Sequence, residues 1–112
     1  MVYQELSVVV NGASSGANTL VAAVSGYKVR ILGLTLVAAG TVTVTIQSGA
    51  GGTAIIGPVV LAVSQPITLP LSPSELRGWA ETAVDALLNM NLSGAVQVGG
   101  VLRYCLVPSG AA

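Results

Sequence analysis

The chain has 112 residues, with four basic and four acidic side chains and no histidine, so its formal net charge is zero. Four scattered basic residues form no stripe that would neutralise phosphates, which argues against a nucleic-acid partner. Without histidine and with a single cysteine, the chain lacks the commonest general base and metal ligands, so we expect no enzyme activity, no cofactor and no metal site.

The chain has few charged residues to keep its surface hydrated. Charged residues make up 7% of the chain, against about 25% in ordinary globular domains. Its apolar runs are cut by glycine and threonine before they reach the roughly 20 residues of a spanning helix, so no membrane partner is expected. We expect residues 1–112 to form one domain. Part of its surface is predicted to lie against neighbouring molecules.

Short alternating segments separated by glycine-rich turns run along the whole chain. The predicted strands are 3–10, 19–24, 27–38, 41–48, 53–64, 66–71, 85–93 and 101–107. Residues 1–18 are expected to be an N-terminal strand or arm followed by a flexible loop at 11–18. Further turns are predicted at 49–52, at 99–100 and at 39–40, where the third and fourth strands would form a hairpin.

About eight short strands without a long helix predict an all-β fold, an antiparallel β-sandwich. An eight-stranded jelly roll fits the strand count, and a sandwich of other connectivity is the alternative. Gly57-Pro58 predicts a bulge, a kink or an edge position within its strand, because proline cannot donate to the ladder. A short helical turn is possible at 72–78, with Ser72 as its cap.

The third predicted strand supplies the main functional argument. It begins with Lys28 and Arg30 on one face, and strict alternation predicts that Leu32, Leu34 and Leu36 continue that face. The strand would then be apolar on both faces and would need cover on both. The core covers one face, and a second copy of the protein is predicted to cover the leucine row.

Two aromatic residues are further interface candidates. Trp79 is either a core residue or an interface anchor, since tryptophan buries a large area and is enriched at binding hot spots. Tyr104 lies in a second apolar row of the last strand, together with Leu102 and Leu106. Both aromatic residues are therefore added to the three leucines as candidate contacts.

Other residues suggest chemistry only weakly. Cys105 lies in an apolar strand with no histidine to activate it, so an inert buried thiol is expected. Nothing in the spacing of Glu75, Glu81 and Asp85 selects a catalytic pair or a cation site. We expect them to be solvated or paired with Arg77, Arg103 or Lys28.

Five short motifs follow one another in a characteristic order between residues 20 and 107. They are YKVRILG at 27–33, VTIQSG at 44–49, GWAET at 78–82, ALLNMNLSGA at 86–95 and VGGVLRY at 98–104. In this order they resemble small virion proteins of tailed bacteriophages. The chain departs from that pattern at Ala80, where the family often has an aromatic residue.

The resemblance implies a β-sandwich, often a jelly roll, that works as a homotrimer on the phage particle. It implies capsid decoration, in which the protein cements the head shell through contact with the major capsid protein or another virion protein. A tail, fibre or baseplate component, including a receptor- or carbohydrate-binding module, is the alternative. The expected location is the virion, on the capsid surface rather than the tail.

Overall fold

The computed structural model describes residues 5–49, 51–70 and 78–108. Within them the chain forms nine β-strands and no helix. The strands are β1 (Leu6–Gly12), β2 (Gly16–Val21), β3 (Tyr27–Ala38), β4 (Val42–Ser48), β5 (Thr53–Leu61), β6 (Ile67–Leu69), β7 (Ala80–Glu81), β8 (Leu88–Leu92) and β9 (Val98–Pro108). In this part of the chain, then, nothing helical is available to cross a membrane.

The strands form two antiparallel sheets that pack face to face. The first sheet has the order β1-β9-β3-β6, with β7 also paired to β3, and the second has the order β2-β8-β4-β5. Both sheets contribute alternate apolar residues to one main core, for example Ile31 and Leu102 from the first and Ile46 and Met90 from the second. The predicted all-β antiparallel sandwich is confirmed. The jelly-roll connectivity stays a prediction, and the helical turn predicted at 72–78 lies largely outside the described residues.

The predicted hairpin at residues 39–40 is wrong. β3 pairs with β9 and β6 in the first sheet, whereas β4 pairs with β8 and β5 in the second. The glycine turn therefore carries the chain across the sandwich instead of back along the same sheet. Ala39 is held at this crossing by its backbone N–H, which donates to the carbonyl of Gln97 at 2.8 Å.

Two other predicted turns are also shorter or absent. The flexible loop expected at 11–18 is reduced to residues 13–15, because β1 runs to Gly12 and β2 begins at Gly16. Gly99 and Gly100 lie inside β9, opposite Val37 and Leu36 of β3, and not in a turn. Glycine at position 100 allows β9 and β3 to approach each other closely, since a Cβ there would overlap the carbonyl oxygen of Thr35.

A β-bulge in β3 decides where the leucine row points. Ile31 pairs with Tyr104 of β9, and Gly33 pairs with Arg103, which is adjacent to Tyr104 in β9. Leu32 therefore has no counterpart in β9 and is an extra residue in β3. One extra residue reverses the alternation of side chains between the faces of a strand. Leu34 and Leu36 consequently face the main core, together with Ile31.

Leu32 belongs to a separate small cluster with Cys105 and Val107. Cys105 pairs with Arg30, and the neighbouring pair, Tyr104 and Ile31, faces the main core. Alternation therefore puts this cluster on the opposite side of the first sheet. Cys105 is fully buried there, as expected of an inert structural thiol.

Candidate interaction surface

The three leucines proposed as an interface are covered by a single chain. Their exposed fractions are 2% for Leu32, 5% for Leu34 and 1% for Leu36. The prediction that they form one row needing a second copy for cover is wrong, because the bulge turns Leu34 and Leu36 into the core. Tyr104 is half-buried and packs against the same core, so little of its ring is available to a partner.

Trp79 is the exception among the candidates, since 46% of it is exposed. Its indole Nε1–H donates to the carbonyl of Pro70 at 2.7 Å, and its backbone N–H donates to the carbonyl of Ile31 at 2.8 Å. The ring is thus held in place while much of its surface faces solvent. This geometry favours the anchor interpretation of Trp79 over a core residue.

The outward side of the first sheet, beyond the bulge, carries a broad exposed surface. Register places Val9, Val101, Thr35 and Thr68 in one row across β1, β9, β3 and β6. We call this surface the valine face; it comprises Ser7, Val9, Asn11, Thr35, Val37, Thr68, Val101 and Arg103. The exposed fractions of its valines are 77% for Val9, 40% for Val37 and 40% for Val101.

A shallow cavity of about 330 Å³ opens on the valine face. Its lining includes Thr35, Thr68, Pro70 and Arg103. Arg103 donates to a Glu5 carboxylate oxygen at 2.8 Å and is half exposed. An exposed pair of this kind contributes little folding energy. Arg103 is the one charged residue of the valine face, and its other residues are uncharged.

The principal charge cluster of the described residues lies at the other end of β3. Glu81 of β7 sits opposite Arg30, and its carboxylate accepts hydrogen bonds from Arg30 Nε at 3.0 Å and Nη2 at 2.9 Å. Lys28 Nζ is 3.4 Å from the other carboxylate oxygen. Lys28 was among the partners predicted for the carboxylates, whereas Arg30 was not.

The environment of Glu81 has two opposing effects on its pKa. Burial alone would raise it, but the hydrogen bond from Arg30 and the charges of Arg30 and Lys28 outweigh burial and lower the pKa below its usual value of 4.5. The ionised carboxylate is therefore the form that the fold stabilises. Glu81 joins β7 to β3 and has a structural role.

Replacing Glu81 with glutamine should destabilise the protein at neutral pH by about 1–3 kcal/mol, because charge-assisted hydrogen bonds to the buried Arg30 are weakened. Because the folded-state pKa is lowered, the stabilisation is present above 4.5 and is lost as pH falls through the folded pKa. The wild-type and variant stabilities should converge in acid. Urea unfolding at a series of pH values measures this.

Glu5→Gln is the matched control, since its half-exposed partner Arg103 should make the loss smaller than about 1 kcal/mol. Parallel stability curves for wild type and Glu81→Gln across the acid range would contradict the assigned role of Glu81.

Asp85 is the other acidic candidate within the described residues. The carboxylate of Asp85 accepts from the backbone N–H of Gly26, and its own N–H donates to Tyr27 O at 3.0 Å, so it ties a loop to the start of β3. Glu75 lies outside the described residues. In residues 5–49, 51–70 and 78–108, no three His, Cys, Asp or Glu side chains are grouped to hold a metal ion.

Sequence reasoning missed the valine face. The alternation of Ser7, Val9 and Asn11 was readable, but an isolated valine between polar residues is common and does not indicate exposure. The valine face forms because Val9 and Val101, from opposite ends of the chain, lie side by side. Only the pairing of β1 with β9 reveals this proximity.

The fold and its surface define a small antiparallel β-sandwich with a broad exposed face that carries one charged residue. A known structure with a similar fold belongs to the study "Bacillus endospore appendages form a novel family of disulfide-linked pili"; the TM-score is 0.56 at 14% identity, over 96% of this chain and 89% of that chain. This likeness supports the fold alone. No family model and no curated protein matches this sequence.

Proposed function

We propose that the protein is a structural subunit of a tailed-bacteriophage virion, a homotrimeric decoration protein that binds and stabilises the head shell. The observation that carries the proposal is the valine face, which exposes Val9, Val37 and Val101 around a single paired charge, Arg103. The order of the motifs between residues 20 and 107 supports the phage assignment. Leu32, Leu34 and Leu36 of β3 are buried, so they are not part of the proposed contact.

A sheet surface with a single charged residue suits repeated binding to a symmetric shell. Three copies about a three-fold axis present three valine faces, so individually weak contacts act together. A stable contact buries on the order of 800 Å² on each partner, and β-branched side chains on a rigid sheet lose little conformational freedom on binding. With few ion pairs to screen, binding should change little with salt.

The contacts of such an assembly are expected to be non-covalent. The similar appendage structure is described as a disulfide-linked pilus, and that description is of the other protein. This chain has one cysteine, and its side chain, Cys105, is fully buried. It is therefore poorly placed to link copies on the surface.

Val101→Lys tests the proposal, because it places a charge at the centre of the valine face without entering the core. Purified wild-type protein should scatter light as a trimer and co-sediment with heads that lack it, with little dependence on salt. The variant should bind about tenfold more weakly or worse, since its ammonium would lose water in the contact. Val60→Lys, at a 70% exposed position of β5, should bind like wild type.

The proposal fails if Val101→Lys binds heads as well as wild type, or if imaging of intact particles finds the protein only on the tail. The tail, fibre or baseplate alternative has one observation in its favour, the cavity on the valine face, with Trp79 bonded to Pro70 on its wall. Glycan or cell binding that Trp79→Ala abolishes, with the oligomer intact, would support that alternative.

A further inference from the structure

Most strands at the borders of the two sheets carry features that hinder pairing with another chain. Among the described residues, β6 and β7 are three and two residues long. β5 contains Pro58 and has two register shifts against β4. β2 has a register shift after Thr19, and the Asn18 side-chain amide donates to its own strand at Gly16 O at 3.1 Å. Short length, proline and bulges are the usual protections of a sheet edge.

β1 has none of these protections. Its seven residues, LSVVVNG, contain no charge and no proline, and all seven pair with β9 in unbroken register. Within the described residues, β1 is an edge strand of the first sheet, and the backbone groups on its free side have no backbone hydrogen-bond partner. An uncharged strand that is rich in valine, has no register shift and has an open edge is a template for another strand.

The residues of β1 are complementary to themselves in antiparallel register. When two copies are centred on Val9, that residue faces its counterpart, Val8 faces Val10, and Ser7 faces Asn11. Apolar side chains then meet apolar ones and polar meet polar, and no like charges lie opposite each other. The pairing forms about six to eight backbone hydrogen bonds over seven residues.

We propose that β1 is a self-association edge, at which a second copy of this chain adds its own β1 in antiparallel register about a two-fold axis through Val9. The first sheet of one copy then continues into that of the next. The row Thr68, Thr35, Val101 and Val9 runs on through the same four residues of the partner in reverse order. The valine faces of the two copies become one surface.

This inference adds a specific contact to the proposed structural role. It rests on the proposed function only for the place where that contact is used, the virion. A two-fold contact does not compete with a trimer. In a shell-bound array, the three-fold contact closes each trimer and the two-fold contact links one trimer to the next. The pairing itself is a property of the purified chain and is tested without the particle.

Two variants that place opposite charges at Val9 test both the pairing of β1 with β1 and its register. Val9 is 77% exposed, so lysine or glutamate there should leave the fold intact. Wild-type protein should associate with rising concentration in sedimentation equilibrium. Val9→Lys and Val9→Glu should each weaken that association about tenfold, because like charges then lie directly opposite each other. An equimolar mixture of the two variants should recover it, since position 9 of one chain then meets the opposite charge.

Val60→Lys on the protected edge strand β5 is the matched control and should associate like wild type. Three results would overturn the inference: a wild-type chain that shows no two-fold step, Val9→Lys that associates normally, or a mixture of the two variants that fails to recover. In the last case the valine is part of a contact with a different surface or a different protein. Val101→Lys separates the two contacts, because Val101 lies on the valine face but on β9 and not on β1. The proposed function expects this variant to lose head binding, and the present inference expects it to self-pair like wild type.

Discussion

Leu34→Lys is expected to unfold the chain and not merely to dissociate an assembly. Leu34 is 5% exposed, and its neighbours in register are Leu102 of β9 and Leu69 of β6. A lysine there would lie in the main core without a carboxylate partner among the described core residues. Burying an unpaired charge costs several kcal/mol, a large part of a total stability of about 5–15 kcal/mol.

Circular dichroism during heating and urea titration measures the effect. Val37→Lys is a close control, three residues further along the same strand but 40% exposed on the valine face. Its stability should stay within about 0.5 kcal/mol of wild type. A folded Leu34→Lys monomer that melts like wild type would mean that position 34 is accessible, and would restore the leucine row as a candidate interface.

Gly100→Ala should be the second most damaging change, with a loss of about 2–5 kcal/mol. Gly100 has a φ of 154°, in a region that side chains rarely adopt. A Cβ there would overlap the carbonyl oxygen of Thr35 and lie 3.2 Å from Leu36 Cα. Since both contacts are backbone atoms of a paired strand, no side-chain rotation relieves them, and β3 must move away from β9.

Gly99→Ala separates this steric effect from the general cost of changing a glycine. The nearest atom to a Cβ at position 99 is Val10 O at 3.7 Å, an ordinary contact. The variant should be as stable as wild type or slightly more so, because alanine restricts the unfolded chain. Equal losses for the two variants, measured by urea unfolding, would contradict the close approach assigned to Gly100.

The success and failure of sequence reasoning in this chain have separate physical causes. The bounds predicted for the third strand, 27–38, match β3, because a long alternating segment carries a strong local signal. Gly99 and Gly100 were interpreted as a turn, since glycine permits both turns and close strand contacts and the two uses look alike in sequence. The predicted hairpin at 39–40 failed for a related reason, because a glycine turn does not specify which sheet the next strand joins.

The candidate site was harder to predict than the fold. Strict alternation places Leu32, Leu34 and Leu36 on one face, and the local sign of a bulge is weak: a single glycine, Gly33, directly after Leu32. Trp79 was foreseen as a possible anchor, and it is exposed. Arg30 and Glu81 are 51 residues apart in the chain, and a pair at such a separation cannot be read from spacing.

The amino-acid sequence alone determined the all-β class, the antiparallel sandwich and the burial of Cys105, because alternation and apolarity are local properties of each strand. The tertiary structure decided which residues are covered and which are offered to a partner. Strand pairing and one extra residue in β3 turn Leu34 and Leu36 inward and leave Val9 and Val101 side by side at the surface. The physical reason is that the side of a sheet a residue faces depends on register, and register is set by contacts between segments far apart in the chain.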